Sequence, residues 1–170
     1  MTLHLLIMRH AKSSWDHLDL DDADRPLAKR GKRNIDHMGR FLGRLEQKPE
    51  VAVCSPAKRA RDTARRVLHI MGLDVSIELD NTLYMGGLEA HRLAIANLRE
   101  ARVNCALLVG HNPDLEELVR FLCPSGIEEM PYKKLMPTCA VAHIRLASTR
   151  GRPGAGSGEL VDLYRPKTIN

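Results

Sequence analysis

Three short runs of the chain are apolar almost without interruption: Leu3 to Met8, Val51 to Cys54 and Cys105 to Val109. A strand covered on both faces has no side to give to water, so such runs predict strands of a buried parallel sheet. Between them the apolar residues recur at helical spacing. Ile35, Met38, Leu42 and Leu45 mark one helix, and Ala60, Ala64, Val67, Leu68 and Met71 a second. Leu93 and Leu98 mark a third, and Leu115, Leu118, Val119 and Leu122 a fourth. Parallel neighbours need crossover helices, so strands alternating with helices predict an α/β fold. The end of the chain changes character. Thr138 to Leu146 and Glu159 to Tyr164 read as two strands around the glycine-rich loop Ser148 to Ser157, an antiparallel hairpin with a mobile tip added to one edge of the sheet. No repeat and no long linker interrupts the pattern, and residues 1–170 are expected to form a single domain.

Composition narrows the function classes. With 44% hydrophobic and 28% charged residues, and no apolar run near the roughly 18 residues of a membrane span, a folded domain without a membrane role is expected. The first residues lack a basic region and a cleavage site, and Cys54, Cys105, Cys123 and Cys139 are scattered through apolar runs. Both features point to a cytoplasmic protein with core thiols. The net charge of +5 predicts an anionic partner. Aromatic residues make up only 4%, too few for a stacking surface, so nucleic acid is not the expected partner.

Chemistry gathers at the strand ends. The first strand runs into Arg9-His10-Ala11, the second into Ser55-Pro56, and the strand at 105–109 into Gly110-His111-Asn112-Pro113. Ligands of open parallel sheets bind beyond the carboxyl ends of the strands, where these positions can converge. Ser55-Pro56 and Asn112-Pro113 read as helix starts, an N-cap followed by proline, whose free N–H groups favour anions. With Arg9 and Arg59 nearby, the expected ligand is a phosphoryl group. His4, His17, His37, His69, His91 and His143 hold no such position and read as structural or surface residues. No metal-ligand spacing and no nucleotide-binding glycine loop is present, so no metal and no cofactor is expected.

Leu6-Ile7-Met8-Arg9-His10-Ala11 resembles the RHG signature of the histidine phosphatase superfamily. The resemblance continues through Asp24-Arg25-Pro26-Leu27 with Gly31, through Ser55 to Ala64, and through Val109-Gly110-His111-Asn112-Pro113. The stretch Arg9 to Trp15 looks like the small bacterial phosphohistidine phosphatase branch. It implies a three-layer α/β/α sandwich of the phosphoglycerate mutase type. It also implies His10 as the nucleophile that carries the phosphoryl group, and Arg9, Arg59 and His111 as the phosphate pocket. Ala11 stands where much of the superfamily has glycine.

Ser13, Ser55, Asn112 and Glu89 complete the expected site as substrate-binding residues. Many superfamily phosphoesterases have a carboxylate that protonates an alkoxide leaving group, and here Glu89 is the only carboxylate in the stretch Thr82 to Glu89. A helix-start acid is the other reading of Glu89. A phosphoramidate leaves as imidazole and needs less acid help, so the expected activity is removal of phosphoryl groups from phosphohistidine on a protein. The rival readings are a phosphomonoesterase or mutase acting on a small metabolite, and a phosphoprotein-binding adaptor without turnover. The basic sets Lys29, Arg30, Lys32, Arg33 and Lys58, Arg61, Arg65, Arg66 read as solvated helix faces or as a docking rim for an acidic phosphoprotein.

Overall fold

The computed structural model describes residues 2–16, 19–128, 130–147 and 149–169. His17, expected to be structural or at the surface, and Ser148, the expected start of the hairpin loop, lie outside these residues. The elements follow in the order β1 (Thr2–Arg9), α1 (Lys29–Leu42), β2 (Val51–Cys54), α2 (Lys58–Met71), β3 (Ser76–Leu79), α3 (Gly87–Glu100), β4 (Cys105–Gly110), α4 (Asp114–Leu122), β5 (Val141–Ala147) and β6 (Gly158–Tyr164). Short 3-10 turns sit at Asp22–Asp24 and Asn81–Tyr84.

The strands form one six-stranded sheet in the order β3-β2-β4-β1-β5-β6. Its first four strands are mutually parallel, and β5 and β6 are antiparallel additions at the β1 side. The continuous apolar runs follow from cover on both faces. Leu3, Leu5 and Ile7 of β1 pack with Ile95, Leu98, Leu115 and Leu118 of α3 and α4. Leu6 and Met8 face the other way, onto Ile35, Met38, Ala60, Ala64 and Val67 of α1 and α2. Each such side chain, buried completely, contributes roughly 1.5–3 kcal/mol. The result is the expected α/β sandwich, with its mainly parallel sheet and its C-terminal antiparallel pair.

Three details depart from the sequence reading. The strand β3 has no apolar run because it is the sheet's exposed edge, with only Ile77 partly buried. Leu93 of α3 is exposed, and the buried face of that helix runs through His91, Ala94, Ile95 and Leu98 instead. The hairpin tip, expected to be mobile, is fastened to the helices. Arg92 Nε donates to the Pro153 carbonyl at 2.9 Å and Arg99 to that of Gly151 at 2.9 Å, while Gly156 N–H donates to Phe121 O. All four cysteines are buried, and burial pushes each thiol up to about 11 or 12, as befits core residues.

The chain after β1 is drawn down onto α1 at Gly31. A Cβ there would lie 2.2 Å from the Lys12 carbonyl oxygen, so only glycine permits the approach. Ala28 N–H donates to Lys12 O and Ser14 N–H to Pro26 O, closing the base of the aspartate-rich segment between them. That segment is thereby held over the ends of β1 and β2.

Candidate active site

The sheet ladder itself brings the strand ends into register. His10 N–H donates to Gly110 O, and Ser55 N–H to Val109 O, each at 3.0 Å, one step beyond the strands. The imidazoles of His10 and His111 thus meet with centroids 5.0 Å apart and planes 54° apart. Arg59, in the first turn of α2, points a terminal nitrogen at His111 Nδ1, 3.5 Å away. Thr63 secures this turn to β1, its hydroxyl donating to Arg59 O at 2.6 Å and accepting from Ala11 N–H at 3.1 Å.

Hydrogen bonding assigns the ring protons. His10 Nδ1 lies 2.8 Å from Ala11 O, and a carbonyl only accepts, so Nδ1 carries the proton and Nε2 keeps its lone pair. His111 is the reverse. A guanidinium only donates, so Nδ1 faces Arg59 as an acceptor and Nε2–H donates to Ser55 Oγ at 2.7 Å. Burial pushes His10 down to about 3, with His111, Arg59 and Arg9 adding repulsion to any further positive charge. His111 is pushed down to about 4 by burial first and by Arg59 next. Both rings are neutral at pH 7, and two fixed guanidinium charges stand beside them.

The helix starts differ from the sequence reading. Helix α2 begins at Lys58 and α4 at Asp114, neither with a side-chain cap. Ser55 is drawn instead to His111. Asn112 Nδ2 donates to Glu116 Oε2 at 3.1 Å and to the Met136 carbonyl at 3.0 Å. Glu116 also accepts from the N–H groups of Leu135 and Met136, and so presents the Met136 carbonyl to Arg9 Nη1 at 2.9 Å. Arg9 Nε remains buried without a partner, as a donor available to an oxyanion would be.

Ser13 is buried and its hydroxyl accepts from Arg25 at 2.6 Å, so it supports the loop. Arg25 also donates to Ser14 O at 3.1 Å and lies 3.3 Å over the Trp15 ring. Glu89 does not join the cluster. Exposed in the first turn of α3, it is paired with Arg92 and, at 3.1 Å, with Arg152. Among the described residues no three histidine, cysteine or carboxylate side chains are grouped to hold a metal ion.

Asp22, unmarked in the sequence, is the residue that closes the crevice. Its carboxylate accepts from Arg59 Nη2 at 2.8 Å, from Arg25 Nη1 at 2.8 Å and from Tyr84 Oη at 2.7 Å. The Tyr84 hydroxyl and then Arg59 and Arg25 hold its carboxyl down at about 2. Tyr84 in turn sets its ring edge-on to His111, with centroids 5.5 Å apart. Arg59 is thus shared between an internal carboxylate and the floor of the crevice.

Residues 5–84 match the model of the histidine phosphatase superfamily (branch 1). An uncharacterised protein of Mycobacterium tuberculosis is 30% identical over 164 residues, covering 94% of this chain and all of that one. An uncharacterised chloroplastic protein of Arabidopsis thaliana is 30% identical over 132 residues, covering 73% of this chain, which spans only 61% of that relative's length. Among solved structures, the protein histidine phosphatase SixA complexed with tungstate superposes with a TM-score of 0.81 at 26% identity, over 97% of this chain and 98% of that one. A mycobacterial glucosyl-3-phosphoglycerate phosphatase shares the fold, with a TM-score of 0.67 at 15% identity over 95% and 98%. The motifs at the strand ends and these matches agree: the chain belongs to the histidine phosphatase superfamily.

Proposed function

We propose that this protein removes phosphoryl groups from phosphohistidine on a protein, by way of a phosphohistidine formed on His10. The observation that carries the proposal is the tautomer of His10: Nδ1–H is committed to Ala11 O, so Nε2 is a neutral nucleophile at the pH of the cell. In the first step the Nε2 lone pair forms a bond to phosphorus while the bond to the substrate's imidazole nitrogen breaks, that nitrogen keeping the electron pair. In the second, water forms a P–O bond, the bond to Nε2 breaks back onto the ring, and the water's proton passes to solvent or phosphate. The guanidinium groups of Arg9 and Arg59 hold the equatorial oxygens, whose charge no longer needs to be reorganised from bulk water. An oxyanion in the crevice also favours the charged form of His111, turning Nδ1 from an acceptor into a donor.

The state of the carboxyl groups supports a phosphoramidate over an ester. Asp22 is held ionised by Tyr84, Arg59 and Arg25, and Glu89 is held ionised by Arg92 and Arg152. Neither offers a proton to a departing alkoxide at neutral pH, whereas an imidazole leaves without one when its other nitrogen is already protonated. A likeness to SixA, a protein histidine phosphatase, points the same way. The test is a turnover panel of phosphohistidine proteins beside sugar and nucleotide phosphates, with alkaline quench of the enzyme, in which a phosphohistidine survives. Turnover of the phosphohistidine class with an acid-labile phosphoenzyme is expected, and a preference for an ester or the absence of the phosphoenzyme overturns the reading.

A further inference from the structure

A second cationic cleft lies behind the crevice. It encloses about 240 Å³ between Arg30 and Asn34 of α1, Pro137 and Thr138, and Arg165 and Lys167 beyond β6. Its wall is the segment that also lines the active site: Met136 O receives Arg9, and Cys139 N–H donates to the carbonyls of Arg9 and His10. Among the described residues no carboxylate stands within ion-pair distance of Arg30, Arg165 or Lys167.

Arg165 is prepared for an anion. Its guanidinium lies 3.9 Å over the Tyr132 ring and donates one Nη2 hydrogen bond to Lys134 O at 3.1 Å, which fixes its plane. Its Nε is buried without a partner. A stacked, oriented guanidinium with free donors loses little freedom on gripping a carboxylate. Arg30 and Lys167 are exposed on either side. No aromatic residue is among those lining the cleft, so it offers cations without a stacking face, which disfavours a nucleic acid base.

We infer that this cleft is a docking subsite for acidic side chains of the protein substrate, flanking the phosphorylated residue that enters the crevice; the inference rests on the phosphoprotein reading above. It gives Arg30, part of the basic cluster at the start of α1, a function that solvation alone does not. Pro137 and Thr138 of the cleft lie between Met136 and Cys139, which hydrogen-bond Arg9 and His10, so the cleft adjoins the crevice.

Two phosphohistidine peptides of equal length test it, one with glutamates and one with glutamines around the phosphorylated residue. The native protein should favour the glutamate peptide by roughly tenfold in kcat/KM at low salt, through KM, with the preference shrinking as salt screens it. Arg30→Gln/Lys167→Gln, both exposed positions, should abolish most of that preference and leave free phosphohistidine turned over at the native rate. Arg165→Gln should do the same if it folds, as judged by its circular dichroism. No preference in the native protein, or a preference that survives in the double variant, overturns the docking subsite. Binding of a fluorescein-labelled glutamate peptide without phosphate separates this from the catalytic reading. If no phosphohistidine substrate is turned over, binding weakened several-fold in the double variant keeps the cleft, and equal binding removes it.

Discussion

The sheet carries two histidine pairs of nearly the same shape. At the start of β1, His4 and His143 bring their rings to 5.2 Å with planes 49° apart; beyond its end, His10 and His111 stand at 5.0 Å and 54°. Along the strand the two are separated by about 20 Å, at roughly 3.3 Å per residue. Their nitrogens are used differently. His4 Nδ1 and His143 Nε2 lie 2.9 Å apart and bond to each other, with the Tyr164 ring beside His143. His10 and His111 each tie one nitrogen to a different partner, Ala11 O and Ser55 Oγ, and keep the other for the crevice. Burial pushes both His143 and His10 down, so that shift does not tell these two rings apart. His143 Nδ1 is buried without a partner too, so the guanidinium of Arg59 at His111 is what sets the crevice pair apart.

The largest effects should fall on one pair alone. His10→Ala should lower turnover by about 10⁴-fold or more, the scale of losing a nucleophile, with native circular dichroism. His4→Gln and His143→Gln should stay within about twofold. Comparable losses at His143 would dissolve the distinction, and steady-state rates on one substrate decide it. Next come the groups that distinguish the crevice. Arg59→Ala and His111→Ala should each cost roughly 100- to 1,000-fold, as removal of a preorganised anion-stabilising donor does. Near-native rates would take either residue out of the reaction.

The same comparison explains what could be read in advance. Arg9, His10, Arg59 and His111 were legible because a covered parallel strand announces its own end, and three strand ends of one sheet converge. The strands β1, β2 and β4 were legible because both their faces are buried, and β3 was not because neither face is fully covered. Ser55 and Asn112 read as helix caps because local sequence cannot show that a histidine 56 residues away takes the Ser55 hydroxyl, or that the Met136 carbonyl takes the Asn112 amide. Asp22 was one of five aspartates between Asp16 and Asp24, and only the fold selects it for Arg59. Thr63 likewise holds Ala11 N–H, and Glu116 the N–H groups of Leu135 and Met136, partners that sequence spacing does not bring near.

A stability measurement should sharpen the contrast further. An unfolded histidine titrates near 6.5, whereas His10 and His111 in the fold titrate near 3 and 4. Between those values the unfolded chain binds protons that the folded chain refuses, so stability is complete above about pH 6.5 and falls as the pH drops toward 4. At pH 5 the loss is about 1–2 kcal/mol per ring. The urea midpoint should therefore fall between pH 7 and pH 5, less so in His10→Gln. Tungstate, which favours the charged rings, should narrow the difference. An unchanged gap in His10→Gln would mean that the ring is not held neutral by the fold.

Asp22 gives a smaller effect of opposite sign. Its carboxylate shares Arg59 with any bound oxyanion, so Asp22→Asn should tighten tungstate or phosphate binding by roughly five- to tenfold while the amide still accepts from Tyr84. Calorimetric titration reads it, and weaker binding would show that Asp22 orients Arg59 more than it competes for it.

The smallest effect is expected at Glu89, and it tests the substrate class. General-acid help to an alkoxide contributes typically 100- to 10,000-fold, so an ester-specific enzyme that relied on Glu89 would lose that much in Glu89→Gln. Here the carboxylate is exposed and spent on Arg92 and Arg152, beside the hairpin loop that Arg92 also fastens. Turnover of phosphohistidine should change by less than about threefold. An activated aryl phosphate, whose leaving group departs without a proton, should be equally indifferent. A large loss on the best natural substrate with the aryl phosphate unaffected would assign Glu89 the proton transfer and make the substrate an ester. Equal, slight changes on both would leave it as the anchor of α3 to the loop, through Arg152.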